Sequence, residues 1–314
     1  MKKTLLSCIF ISAFLLYSCE TDDDPIRDLD APVIGNADGR EEIRPGNGEI
    51  REAGTDHMHV RFGVDDATGI EQIRVSIHAN FDGHSHARVK SDFEKLNVSD
   101  IYSPNASNPD FRFPAGATRV NVDATGTDIY WAGPNSRVES PVLAGPYDFV
   151  IEATDILGNQ TSYADNSNYL ATFYIRTPYA PVIDVTNLHD DELDGEAGAA
   201  LEVQGTVGRG THELSSDLAF LSVRLTEEHD DHNGNPNQRI MDEDFYEKMW
   251  GSSNWIDGAQ GAELPDTKEI NLAELLTGEN AIILPEGEEH LELIIWAEDV
   301  NGNITEMVYE VHVD

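Results

Sequence analysis

Eleven histidines occur in this chain, and several of them are spaced in ways that suit metal chemistry. His57 and His59 alternate along a strand-like segment. His78 ends a second such segment and is followed by Phe81-Asp82-Gly83-His84-Ser85-His86. A third group is His229-Asp230-Asp231-His232-Asn233. Neutral imidazole suits zinc, copper, nickel and iron, and a carboxylate is a common companion ligand. The candidate ligands are therefore His57, His59, His78, Asp82, His84, His86, His229, Asp231 and His232. Binding through them needs deprotonated imidazole, so it should weaken as pH falls through about 6.5. The plainer alternative is an acidic, solvated loop that happens to contain histidine. His189, His212, His290 and His312 read as isolated residues, structural or facing solvent.

Calcium is the competing ion and the poorer fit. Asp230-Asp231-His232-Asn233-Gly234-Asn235 fails the EF-hand pattern, because His229 stands where its first Asp belongs and Ile240 where its bidentate Glu belongs. Asp299-x-Asn301-x-Asn303 offers alternating oxygens, but the matching segment earlier in the chain has Leu157 in the middle, so a turn is the better reading. No Gly-x-Ser-x-Gly elbow and no His-Glu-x-x-His is present; His212-Glu213 continues as Leu214-Ser215-Ser216. No catalytic or organic-cofactor residue is assigned and no enzyme is expected. Trp131, Trp250, Trp255 and Trp296 would suit a sugar platform, although such residues more often fill cores.

The elements that must position these side chains are repeated. Asp30-Ala31-Pro32-Val33-Ile34 opens one copy and Tyr179-Ala180-Pro181-Val182-Ile183 a second. Ile73-Arg74-Val75-Ser76-Ile77 matches Leu221-Ser222-Val223-Arg224-Leu225. The strand through Asp155-Ile156-Leu157-Gly158-Asn159 matches the strand through Asp299-Val300-Asn301-Gly302-Asn303, and Gly and Asn there suit a tight reversal. Period-two alternation with Gly, Asn and Pro punctuation predicts an all-β chain. Val60, Phe62 and Val64 should point into a core, leaving His57 and His59 together on the other face.

The fold expected is two tandem immunoglobulin-like β-sandwich domains, 31–177 and 178–314. Each carries a long insert with a short helix, over about Phe81–Leu143 and Glu227–Leu284. Helix-like stretches are Ser91–Leu96 and Asp242–Trp250. The strand–Asp-x-x-Gly-Asn–strand endings resemble the last hairpin of bacterial immunoglobulin-like modules, which speaks to fold alone.

The N-terminus is read apart from the fold. Lys2 and Lys3 precede an apolar run, Leu5 to Tyr17, too short for a comfortable membrane span. Leu16-Tyr17-Ser18-Cys19 resembles a lipobox, giving a lipoprotein signal peptide over 1–18, lipid on Cys19 and an acidic tether over 19–30. The acids after Cys19 resemble a surface-export signal. With Cys8 removed and Cys19 lipidated, no thiol is left for a disulfide or a metal. The formal charge of −39 argues against nucleic-acid binding, which needs cationic side chains to neutralise phosphates.

Together the acidic follow-on, the Pro-Val-Ile strand starts, Ile77-His78-Ala79-Asn80-Phe81-Asp82-Gly83-His84-Ser85-His86 and the Phe-Glu-Lys or Tyr-Glu-Lys stretches resemble a family of uncharacterised Bacteroidota lipoproteins, defined as a domain of unknown function. The resemblance implies exported, immunoglobulin-like, His-bearing modules. The expectation is an outer-membrane, lipid-anchored, surface-exposed protein. It would bind zinc or another divalent transition metal and have an outer-membrane transporter as its partner. The alternative is a non-catalytic adhesive or glycan- or protein-binding module.

Overall fold

A computed structural model of the 314-residue chain describes residues 29–53, 57–81, 93–131, 136–227, 244–287 and 290–314. Cys19 and the candidate ligands Asp82, His84, His86, His229, Asp231 and His232 lie outside the described residues. Among those described, no helix is long and apolar enough to cross a membrane.

The chain is almost entirely β. The first copy has β1 (Val33–Gly35), β2 (Ile50–Glu52), β3 (His57–Met58), β4 (Phe62–Asp65), β5 (Ile70–Ala79), β6 (Val98–Tyr102), β7 (Arg119–Val122), β8 (Ile129–Tyr130), β9 (Gly145–Asp155) and β10 (Tyr169–Arg176). The second has β11 (Val182–Val185), β12 (Leu193–Gly195), β13 (Gly205–Gly208), β14 (Leu218–Glu227), β15 (Tyr246–Gly251), β16 (Glu269–Asn271), the one-turn helix α1 (Leu272–Leu275), β17 (His290–Asp299) and β18 (Ile304–Val313).

Two sheet plans repeat strand for strand. The three-stranded sheet β1-β4-β7 corresponds to β11-β13-β16, and the five-stranded sheet β2-β10-β9-β5-β6 to β12-β18-β17-β14-β15. Each pair of sheets closes over its own core. Val64, Ile73, Ile77, Phe149 and Phe173 are sealed in the first, and Val207, Val223, Leu225, Leu293 and Ile295 in the second. Alternation builds these cores: along β5, Ile73, Val75 and Ile77 turn inward while Arg74 and Ser76 do not. Burying each such side chain stabilises by about 1.5–3 kcal/mol. At one corner the first copy forms the short sheet β3-β8, where the second copy has the single bridge Ala200↔Ile283.

Two expectations change. The described part of 242–250 is not helical: it leads into β15, paired antiparallel with β14 from Phe220↔Gly251 to Leu225↔Tyr246. Glu94, expected in a helix, instead bridges Val142. The short helix of the second insert is α1, capped by the Asn271 side chain accepting from the Glu274 N–H. The inserts are also less separate than expected, since β6 and β7, like β15 and β16, complete both sheets of each sandwich.

The closing turns share one design. Asp155 Oδ1 accepts from the Leu157 and Asn159 N–H groups and Oδ2 accepts from Asn159 Nδ2 at 2.6 Å. Asp299 accepts likewise from Asn301 N, Asn303 N and Asn303 Nδ2, and from the Ser216 hydroxyl at 2.8 Å. These donors occupy the oxygens, so both segments are turns, as their spacing suggests.

The second turn also docks on the first copy. Ala144 N–H donates to Asn303 Oδ1 at 3.1 Å, and Ile304 N–H donates to the Ala144 carbonyl at 3.0 Å. Trp255, 1% exposed, packs edge-on against Phe81 with Lys95 Nζ 4.4 Å from its ring centre, and its Nε1 donates to the Gly302 carbonyl at 2.9 Å. Gly302, at φ +86°, leaves no room for a Cβ, which would meet the Trp255 ring at 2.8 Å. Trp255 and Ile304 thus belong to the first copy's core. Behind them, buried Glu298 splints the Trp255 loop by accepting from Ser253 Oγ at 2.6 Å and Asn254 N at 2.7 Å.

Candidate metal centre

His57 and His59 meet a carboxylate that spacing did not single out. Met58 and Val60 are buried, so alternation turns both imidazoles to the opposite face, where their ring centroids lie 4.6 Å apart. The β3–β8 pairing, His57↔Tyr130 and Met58↔Ile129, brings in the segment that carries Asp128. A 3-10 turn at Thr125–Thr127 leads into it. His57 Nε2 lies 3.4 Å and His59 Nδ1 3.2 Å from Asp128 Oδ2. The three candidate ligand atoms all lie within 4.8 Å of one another.

The environment suits a cation. The Asp128 side chain is only 3% exposed, and its Oδ1 accepts from the Val60 N–H at 3.3 Å. A buried carboxylate needs a charged or hydrogen-bonding partner to offset its desolvation. The His57 Nε2 atom is buried and makes no hydrogen bond, although it points toward Asp128. His57 stacks on Tyr130 at 5.1 Å, which fixes its plane, while the His59 side chain remains 45% exposed. Two imidazoles and one carboxylate form a three-ligand set that leaves a coordination position for water or an incoming group.

Behind the site lies a second buried carboxylate. Asp100 is forked by Arg137 at 3.2 and 2.8 Å; its burial raises its pKa, and the guanidinium opposes that rise. The Tyr102 phenol is pushed up by burial and by the charges of Asp100 and Asp128.

The second copy supplies an internal comparison. Val33 pairs with Asp65, and Val182 pairs with Gly208, which aligns β4 with β13. Counting back places Ala200 at the position of His57, Leu201 at Met58 and Glu202 at His59. Leu201 N–H donates to the Ile282 carbonyl, and Ala200 bridges Ile283, as β3 pairs with β8. The counterpart of Asp128 is therefore Ala281. The same corner closes without any of the three ligands.

Of the other expected ligands, His78 alone is among the described residues, and it stands apart. His78 sits on β5 opposite Asp148, with Nε2 3.8 Å from Asp148 Oδ2, and remains 42% exposed. It is not brought to His57 and His59. Asp148 is itself engaged by Thr172 Oγ1 at 2.8 Å and Asn80 Nδ2 at 3.0 Å. His290 and His312, read as isolated, are in fact directly opposed on β17 and β18. His212 packs against Tyr179 and accepts from the Leu214 N–H, and His189 is exposed beside Asp190. Trp131, Trp250 and Trp255 are buried, so the tryptophans do not form a sugar platform.

Comparison with known proteins gives a family match over part of the chain and distant structural likenesses. Residues 17–168 match a family model described as Domain of unknown function (DUF4625), covering the first copy up to the start of β10 and a stretch before it. No curated protein matches the sequence significantly. Among solved structures, the chain is similar to a tetra-tandem repeat in the extending region of a large adhesion protein (12% identity, 90% of this chain and 49% of that one, TM-score 0.24). It is similar to the Bacteroides ovatus mixed-linkage glucan utilization locus protein SGBP-B, solved with a mixed-linkage heptasaccharide (12% identity, 90% and 47%, TM-score 0.24). A titin Ig tandem is a third (8% identity, 90% and 97%, TM-score 0.20). The chain spans about half the length of the first two. Likenesses this weak say nothing of activity.

Proposed function

We propose that this chain is a non-catalytic binding module, held to the outer membrane by lipid on Cys19, whose first copy binds a divalent transition metal through His57, His59 and Asp128. The observation that carries this reading is the comparison of the two corners. The second copy folds the same corner with Ala200, Glu202 and Ala281, so the fold does not require two histidines around a buried aspartate. Nitrogen-rich ligands favour zinc, copper or nickel over calcium. Anchored at the surface, such a module would exchange its metal with an outer-membrane transporter.

The test is titration of the full chain with zinc, copper, nickel and calcium, alongside the His57→Ala/His59→Ala variant. Micromolar or tighter transition-metal binding that is lost in the variant supports the site. Binding that is absent, or unchanged in the variant, overturns it.

A second reading, an adhesive or glycan- or protein-binding module, is favoured by the clamped junction. Trp255, Asn303 and Ile304 fix the two sandwiches to each other, as a stiff spacer requires. It predicts partner capture at the surface that is indifferent to chelators.

A further inference from the structure

A second pair of imidazoles lies on the outer face of the second copy's five-stranded sheet. His290 on β17 and His312 on β18 are directly opposed, with ring centroids 5.6 Å apart and planes inclined by 45°. Leu291, Leu293, Val311 and Val313 are buried, so alternation turns both histidines outward together. The next rung of the same face opposes Glu292 to Glu310. On the far side of His312, β12 places Asp194 in register with it, and Asp314 Oδ1 lies 3.5 Å from His312 Nε2.

The first copy shows what this rung looks like without that chemistry. Leu291 pairs with Val311 as Tyr147 pairs with Phe173, so the counterparts of His290 and His312 are Pro146 and Tyr174. The counterparts of Glu292 and Glu310 are Asp148 and Thr172, and there a hydroxyl donates to a single carboxylate at 2.8 Å. The second copy instead places Glu292 opposite Glu310 on that rung. Two imidazoles bonded to one ion at about 2.0–2.1 Å per nitrogen put their ring centres about 5 Å apart, close to the separation found here.

We propose that His290 and His312 form a two-imidazole cross-strand site for a divalent transition ion such as zinc or copper(II), with water in the remaining coordination positions. The site is independent of His57, His59 and Asp128. Its ligands come from adjacent strands of one hairpin, so it is preformed by the sheet register and exposed to exchange.

The test is carbethoxylation of histidines in the full chain, mapped residue by residue by mass spectrometry, with and without zinc chloride. The His57→Ala/His59→Ala background keeps the first site silent. The expected result is that micromolar zinc slows modification of His290 and His312 together, at least tenfold. His312→Tyr, which copies Tyr174 of the first copy, should abolish protection of His290 while leaving the thermal unfolding midpoint unchanged. Equal modification of both histidines with and without zinc overturns the proposal. So does zinc protection confined to His57 and His59 in the unsubstituted chain, a result that would uphold the first site and remove the second.

Discussion

The corner formed by β3 and β8 and its counterpart around Ala200 and Ile283 have the same backbone pairing and different side chains. In both, an apolar pair seals the inside: Met58 with Ile129 in one, Leu201 with Ile282 in the other. On the outside one copy carries His57, His59 and Asp128, and the other Ala200, Glu202 and Ala281. Structural need is common to the two corners, so the difference between them isolates what the polar triad adds. A buried aspartate beside an imidazole nitrogen without a hydrogen bond is a cost to folding. The second copy avoids that cost.

The largest effect should come from removing both imidazoles. His57→Ala/His59→Ala is expected to weaken transition-metal binding at least about 100-fold, since a single remaining carboxylate is a poor ligand for these ions; calorimetric titration measures it. The reverse graft, Ala200→His/Glu202→His/Ala281→Asp, should add one bound ion per chain. A graft that folds and binds no additional ion would show that the corner's backbone does not by itself supply the geometry. Asp128→Asn comes next, with binding weakened by at least about 10-fold, since loss of even a carboxylate that only supports a ligand costs about 10–100-fold. Smaller still is the stability change when the first corner is converted to its counterpart by His57→Ala/His59→Glu/Asp128→Ala. Replacing all partners of a polar cluster together is close to neutral. Metal-free denaturant unfolding should therefore shift by no more than about 1 kcal/mol, and a loss of several kcal/mol would mean that the triad is structural.

The two closing turns give the smallest and most selective contrast. Asp155 is desolvated, but hydrogen bonds from Asn159, Leu157 and Gly158 outweigh that and lower its pKa. Asp299 has the same kind of donors, yet burial wins and its pKa is raised, as is that of neighbouring Glu298. The signs are therefore opposite. The Asp155 contribution is present above its unfolded pKa, about 3.9, and is lost as pH falls through its lower folded value. The Asp299 and Glu298 contributions are complete below their unfolded values and are lost as pH rises through the folded ones. Between pH 7 and about 4, amide protection at Asn303 should rise relative to protection at Asn159. Parallel loss of protection at both turns would contradict this account.

Much of this was legible in the residues. The repeated Asp-x-x-Gly-Asn endings and alternating apolar strands revealed two sandwiches, because side-chain period and turn chemistry are local properties. The shared face of His57 and His59 followed from the same alternation. Asp128 did not, because one acid among 59 becomes a neighbour only through the β3–β8 pairing. His290 and His312 looked isolated, although counting outward from the Asp299–Asn303 reversal pairs them directly. The 242–250 segment failed for another reason. Its acidic and aromatic spacing imitates a helix, but a free edge of β14 was available, and tertiary pairing overrode local preference.

The order of the strands also bears on how the molecule can be made. β10 and β18 each lie between two neighbours, with the earlier strands β2 and β12 attached outside them. β2 and β12 must therefore wait, unpaired, until a strand more than 100 residues later is synthesised. The first copy's core waits longer than its strand pairing does, because Trp255 and Ile304 belong to it. Nascent chain short of residue 304 lacks part of the first core, so synthesis from the N-terminus delays the complete packing of the first sandwich until the last strand of the second begins to appear, and until then the chain is easier to thread through a narrow channel.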